Sequence, residues 1–161
     1  MYTFNELQET VNSKIENLSF KRPPEKLYEP IKYVLSMGGK RVRPVMTLMS
    51  CNLFSENVEP AILPGIGLEV FHNFTLLHDD IMDQANLRRN KPTVHKKWDE
   101  NTAILSGDAM MIKAYDFFLE ASVPNKNDML TFFNQTALKV CEGKQYDMDF
   151  ESRNDVSESE Y

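Results

Sequence analysis

Apolar residues in this 161-residue chain recur at intervals of three and four. Leu7, Val11, Ile15 and Leu18 form one such series; Leu27, Ile31, Val34 and Leu35 form another. That period places each set on one face of an α-helix and leaves little room for strands, which need alternation. The pattern predicts helices near 3–19, 24–37, 41–54, 59–83, 99–120 and 125–150. Local punctuation agrees. Pro23 and Pro24 suit a helix start, where a missing N–H costs nothing. Gly38 and Gly39 suit a C-terminal stop. Asp99 or Asn101 suits a cap for the fifth helix, and Asn125 with Asp128 stands where the sixth begins. The expected fold class is all-α.

Composition narrows the function classes. Apolar residues make up 42% of the chain, enough for a core and against general disorder. No apolar run approaches the roughly 18 residues of a spanning helix, and the first residues lack a basic region followed by an apolar one. The net charge of −6 argues against a nucleic-acid partner. Two cysteines, Cys51 and Cys141, are too few for a disulfide scaffold and read as reduced, buried thiols, with a cytoplasmic location. The acidity is concentrated in residues 147–161, whose six acids face one arginine, and the ending SESEY reads as a loop. Lys40, Arg41 and Arg43 form one basic cluster; Arg88, Arg89, Lys91, Lys96 and Lys97 form a second.

The segment EVFHNFTLLHDDIMD (69–83) carries the most chemistry. On a helix, Asp79 and Asp83 lie one turn apart on one face, with Asp80 at its edge. Exposed like charges at that spacing repel by a few tenths of a kcal/mol per pair. A divalent cation would relieve the repulsion, and hard oxygen ligands without cysteine suit Mg²⁺ shared with substrate phosphates. A solvated acidic helix end is the plain alternative. His72 lies about 10.5 Å before Asp79 on nearly the same face. Arg88 and Arg89 offer two guanidinium forks suited to phosphate oxygens. Lys40 and Arg43 follow two glycines at a helix start, where backbone N–H groups favour anions. The segment lacks the GxxxxGK[ST] pattern of a nucleotide P-loop.

Taken together, an acidic metal-binding face and two basic clusters imply two anionic groups, one held through metal and one by cations. GGKRVRP (38–44), HNFTLLHDDIMD (72–83), RRNKPT (88–93) and ILSGDAM (104–110) resemble, in order, the motifs of the trans-isoprenyl diphosphate synthases, or polyprenyl synthetases. CEGKQYDMDFE (141–151) is similar to that family's later Gly/Gln/Asp segment. The resemblance implies the isoprenoid synthase fold, helices around a deep central cavity. It implies Mg²⁺-dependent joining of isopentenyl diphosphate to an allylic diphosphate. Asp79, Asp80 and Asp83 would be the first Asp-rich motif, holding Mg²⁺, and Arg88 would bind the allylic diphosphate. Lys40, Arg43, His72 and Arg89 would hold isopentenyl diphosphate. Phe74, five residues before Asp79, resembles the bulky residue limiting chain growth in short-chain members, implying a C15–C20 product. A helical wheel instead puts Phe74 opposite Asp79 and Thr75 nearer its face. Family members are commonly homodimers.

Three departures stand out. Asn90 follows the Arg pair where the family has Gly, Lys144 separates Gly143 from Gln145, and no second Asp-rich motif occurs after Tyr146. The expected domain content is the N-terminal half of one synthase domain, spanning 1–161, with the C-terminal half absent and little activity by itself. Three other readings remain. Glu69 and His72 match the Glu-x-x-His of di-iron bundles, but neither His78 nor His95 has a Glu three residues before it. A type I terpene cyclase shares the acidic motif but has no need of GGKRVRP. A non-catalytic diphosphate-binding half-subunit would need a partner chain.

Overall fold

Helix α4, Glu59–Met82, organises the first of two units in the computed structural model, which describes residues 1–158 and 160. That unit, residues 1–122, also holds α1 (Phe4–Glu16), α2 (Glu25–Ser36), α3 (Val42–Asn52), the strands β1 (Leu87–Arg88) and β2 (Lys91–Pro92), the short α5 (Val94–Lys97) and α6 (Glu100–Glu120). The fold is all-α, as expected.

Two glycines let α4 approach its neighbours. A methyl at Gly65 would sit 3.2 Å from Leu48 Cδ1 and 3.3 Å from the Pro44 carbonyl on α3. One at Gly67 would sit 3.1 Å from both the Ala114 carbonyl and the Phe118 ring on α6. These two positions point to nearly opposite sides of the helix, so α4 runs between α3 and α6. Ile66, Val70 and Leu77 are buried along it.

The other ends follow local chemistry. Thr3 and Glu6 form a reciprocal capping box at α1. Its buried stripe is Leu7, Val11 and Ile15; Leu18 falls beyond the helix end. Gly38, with φ +76°, follows the C-cap of α2. Asp99, rather than Asn101, caps α6 by accepting from the Thr102 N–H at 2.8 Å.

The helical period predicts no element between residues 83 and 99. Instead β1 and β2 pair antiparallel, Leu87 opposite Pro92 and Arg88 opposite Lys91. Arg89 and Asn90 form the turn with φ of 52° and 61°. Positive φ at both central residues is what a tight two-residue hairpin turn demands, and Asn accepts it readily. Asn90 therefore keeps the turn that a glycine would make.

The second unit, residues 123–161, contains α7, Lys126–Glu151. Asn125 precedes it without a side-chain cap. Lys144 pairs with Asp147 at 3.1 Å, and Gln145 donates to Asp149 at 2.8 Å. Cys141 is exposed and Cys51 half-buried, so the expected burial of both thiols is not met. The SESEY ending falls partly outside the described residues. Among the described residues no helix is long and apolar enough to cross a membrane.

Candidate functional site

Two faces of α4 are occupied by packing. The side toward α6 carries Gly67, Phe74 and His78. Phe74 meets the His78 ring edge-on at 4.8 Å, and His78 Nε2 lies 3.2 Å from the Ile104 carbonyl and 3.9 Å from Asp108 Oδ1. A second side buries Glu69, Asn73 and Asp80. The remaining face presents Leu68, His72, Thr75, Asp79 and Asp83, half-buried or exposed. At about 100° per residue, His72 is about 20° from Asp79, while Thr75 and Asp83 are each about 40° from it. Phe74 is about 140° away. Of the two chain-length candidates, Thr75 therefore shares the face of Asp79 and Phe74 does not.

The three aspartates part company. Asp80 is 5% exposed and turned to Arg88. Arg88 Nε donates to both Asp80 oxygens at 2.9 Å, with Nη2 2.8 Å from Oδ1. Hydrogen bonding to Asp80 pushes the Arg88 pKa above its ordinary value, with burial opposing and the charges of Asp80, Asp79 and Asp83 assisting. Among the described residues no three His, Cys, Asp or Glu side chains come together as a metal-holding group. Asp79 and Asp83 share the open face, and Asp80 holds the hairpin arginine. Two carboxylates one turn apart still fit Mg²⁺, which keeps several waters and takes one or two carboxylates beside substrate phosphates.

The two basic clusters meet at the same face. The Arg89 guanidinium lies against Gly39, where an added Cβ would be 2.8 Å from Nη1 and 2.9 Å from Nη2. A larger residue there would be strained, because Gly39 has φ +144°. His72 has its pKa held below 6.5, first by burial, then by the charges of Arg43, Arg89 and Arg88, with Glu69 opposing. Burial and the positive charges of Arg43, Arg89 and Arg88 favour the neutral form of the imidazole. Lys40 is exposed, and its carbonyl accepts from Gln8 Nε2 at 2.8 Å, which ties the loop to α1.

Arg41 behaves differently from its basic neighbours. It is 5% exposed and bonded to Glu69 Oε1 at 2.7 Å. Sequence reasoning grouped it with Lys40 and Arg43 and left Asn73 unremarked. The available signal was a lone Glu69 within the apolar run of α4, since a buried carboxylate requires a partner. Glu69 Oε1 also accepts from Asn73 at 3.2 Å, so the Glu69–His72 pair is not presented to a di-iron centre.

A cavity of about 370 Å³ opens between α1 and α2, lined by Ile15, Leu18, Phe20 and Leu35 and reaching Gly38 and Gly39. It touches neither Asp79 nor His72, so it is distinct from the deep central cavity the resemblance implies.

Comparison with known proteins agrees with this arrangement. Residues 24–161 match the polyprenyl synthetase family model. A geranylgeranyl pyrophosphate synthase of Geoglobus acetivorans is 42% identical over 153 residues, covering 94% of this chain and 48% of that protein. A geranylgeranyl diphosphate synthase of Sulfolobus acidocaldarius is 41% identical, covering 98% and 49%. A crystal structure of a geranylgeranyl pyrophosphate synthase superposes with a TM-score of 0.94 at 49% identity, over 100% of this chain and 49% of that one. The chain spans about half the length of the curated relatives it matches. With the motif order, the helical scaffold and these matches in agreement, the chain belongs to the polyprenyl synthetase family.

Proposed function

We propose that residues 1–161 form the N-terminal half of a trans-prenyltransferase that joins isopentenyl diphosphate to an allylic diphosphate. The observation that carries this reading is the convergence of Gly39, Arg43, His72, Arg88 and Arg89 beside the open face holding Asp79 and Asp83. Arg43, Arg89 and His72, with Lys40 on the same loop, receive the diphosphate of isopentenyl diphosphate. Asp79 and Asp83 hold Mg²⁺ with its waters, and Arg88, braced by Asp80, takes the allylic diphosphate. Mg²⁺ held there would neutralise charge on the departing diphosphate. The cationic groups stabilise negative charge as the allylic C–O bond breaks. The alkene of isopentenyl diphosphate then attacks the allylic carbon and a proton is lost.

The relatives named above support a short-chain product, C15–C20, with Thr75 better placed than Phe74 to meet a growing chain. A homodimer and a cytoplasmic location belong to the same proposal. Taken alone, the 161-residue chain binds Mg²⁺–diphosphate weakly and turns over slowly, because the relatives devote about as much chain again to the enzyme.

The test compares Asp79→Ala with Lys40→Ala. The first weakens allylic diphosphate binding only when Mg²⁺ is present. The second weakens isopentenyl diphosphate binding with or without Mg²⁺. Equal metal dependence in the two variants contradicts the division of sites.

A further inference from the structure

We infer that Arg41 and Glu69 are positioning residues that hold the 38–43 loop in register with α4, so that its cations face isopentenyl diphosphate; this rests on the function proposed above. Arg41 has a left-handed backbone (φ 51°), which turns its side chain inward while Lys40 and Arg43 on either side remain exposed. The guanidinium reaches three helices. Nη1 donates to Glu69 Oε1 on α4 at 2.7 Å, Nη2 to the Leu35 carbonyl on α2 at 2.7 Å, and Nε to Asn12 Oδ1 on α1 at 3.3 Å. Both charged side chains are nearly fully buried, at 3% and 4% exposure.

The acceptor end is itself fixed. Asn73 donates to the Glu69 carbonyl at 2.8 Å and to Glu69 Oε1 at 3.2 Å. Glu69 lies one turn before His72, and Asn73 adjoins it. The clamp thus joins the loop to the very turn of α4 that presents His72. A planar fork with several donors in fixed directions can serve three acceptors at once, which a lysine ammonium cannot do in the same geometry. Asp79, Asp83 and Arg88 do not depend on it, since Arg88 is anchored through Asp80. Loosening the clamp therefore affects one diphosphate and spares the other.

The experiment measures, by NMR titration of the purified chain, isopentenyl diphosphate binding without metal and geranyl diphosphate binding with Mg²⁺. Glu69→Gln keeps the shape but removes the charge that Arg41 faces. It should weaken isopentenyl diphosphate binding about tenfold or more, because displacing an oriented group by an ångström can cost on the order of a hundredfold. Geranyl diphosphate binding should change less than about twofold, within the scatter of a substitution remote from that site. Arg41→Lys should not restore wild-type binding. If Glu69→Gln does not fold, as judged by circular dichroism, Asn12→Ala decides the matter. It removes one half-exposed partner and should weaken isopentenyl diphosphate binding selectively. Equal loss for both ligands, or no loss for either, overturns the inference. Lys40→Ala run alongside separates the two levels: if it leaves isopentenyl diphosphate binding intact, the diphosphate reading itself fails.

Discussion

Replacing Arg88 by Gln should tighten Mg²⁺ binding in the absence of substrate while weakening binding of the Mg²⁺–allylic diphosphate complex. The opposite signs follow from the geometry. Arg88 covers both oxygens of Asp80 at 2.8–2.9 Å, cancelling a negative charge adjacent to Asp79. Two unit charges about 4 Å apart interact by about 1 kcal/mol in water and about 4 kcal/mol at an effective dielectric of 20. Arg88 is 28% and Asp80 7% exposed in their side chains, so the pair sits between those limits. Part of the attraction is offset by desolvation. A net effect of about 1.4 kcal/mol, or tenfold, is the working figure. Bare Mg²⁺ should gain about that factor when the competing cation is removed, and the diphosphate should lose a comparable factor with its guanidinium contact. Mn²⁺ titration followed by electron paramagnetic resonance, with and without geranyl diphosphate, reads both numbers. Raising the ionic strength should shrink the first effect, because the face is partly open to solvent. Unchanged or weaker Mn²⁺ binding in Arg88→Gln without diphosphate would refute the idea that Asp80 is withheld from the metal by its arginine.

Three further outcomes are expected. His72 is held below its ordinary 6.5, so the unfolded chain takes up this proton before the folded one does. Its contribution to stability is complete above about pH 6.5 and declines as pH falls toward the lower folded value. Urea midpoints at pH 7.5 and 5.5 should differ less in His72→Gln than in wild type. For the buried ion pair, Glu69→Leu alone should cost about 3–5 kcal/mol because Arg41 is left buried and uncompensated, whereas Arg41→Met with Glu69→Leu should recover most of it. Urea denaturation of the full cycle measures this, and a single-variant cost below about 1 kcal/mol contradicts the buried-pair account. Finally, a Cβ at Gly107 would collide with the His78 ring. Gly107→Ala should lower the thermal midpoint by an amount equivalent to about 1–3 kcal/mol of overpacking, and adding His78→Ala should relieve the clash.

Much of the fold was legible before any coordinates, for a local reason. Helix period, the Gly38–Gly39 stop and the choice of Asp99 or Asn101 as a cap are set by residues within about four positions of each other. The same locality made the shared face of Asp79 and Asp83 readable, while the family position of Phe74 and the wheel position of Thr75 pointed to different residues. The hairpin at 87–92 was missed because its strands have two residues each, too short for any period to show.

The site is a different matter. One turn of helix says nothing about Arg88 folding back onto Asp80. Arg41 looked like a twin of Lys40 and Arg43 because all three share a charge; its inward turn depends on Glu69, 28 residues away. The contact of Gly39 with Arg89 bridges fifty positions. Sequence alone determined which helices form and which chemistry the chain carries, since propensity, caps and charge are local properties. Only the tertiary structure decided which charges stay exposed and which are spent on one another, because that choice depends on burial, and burial exists only once the helices have packed.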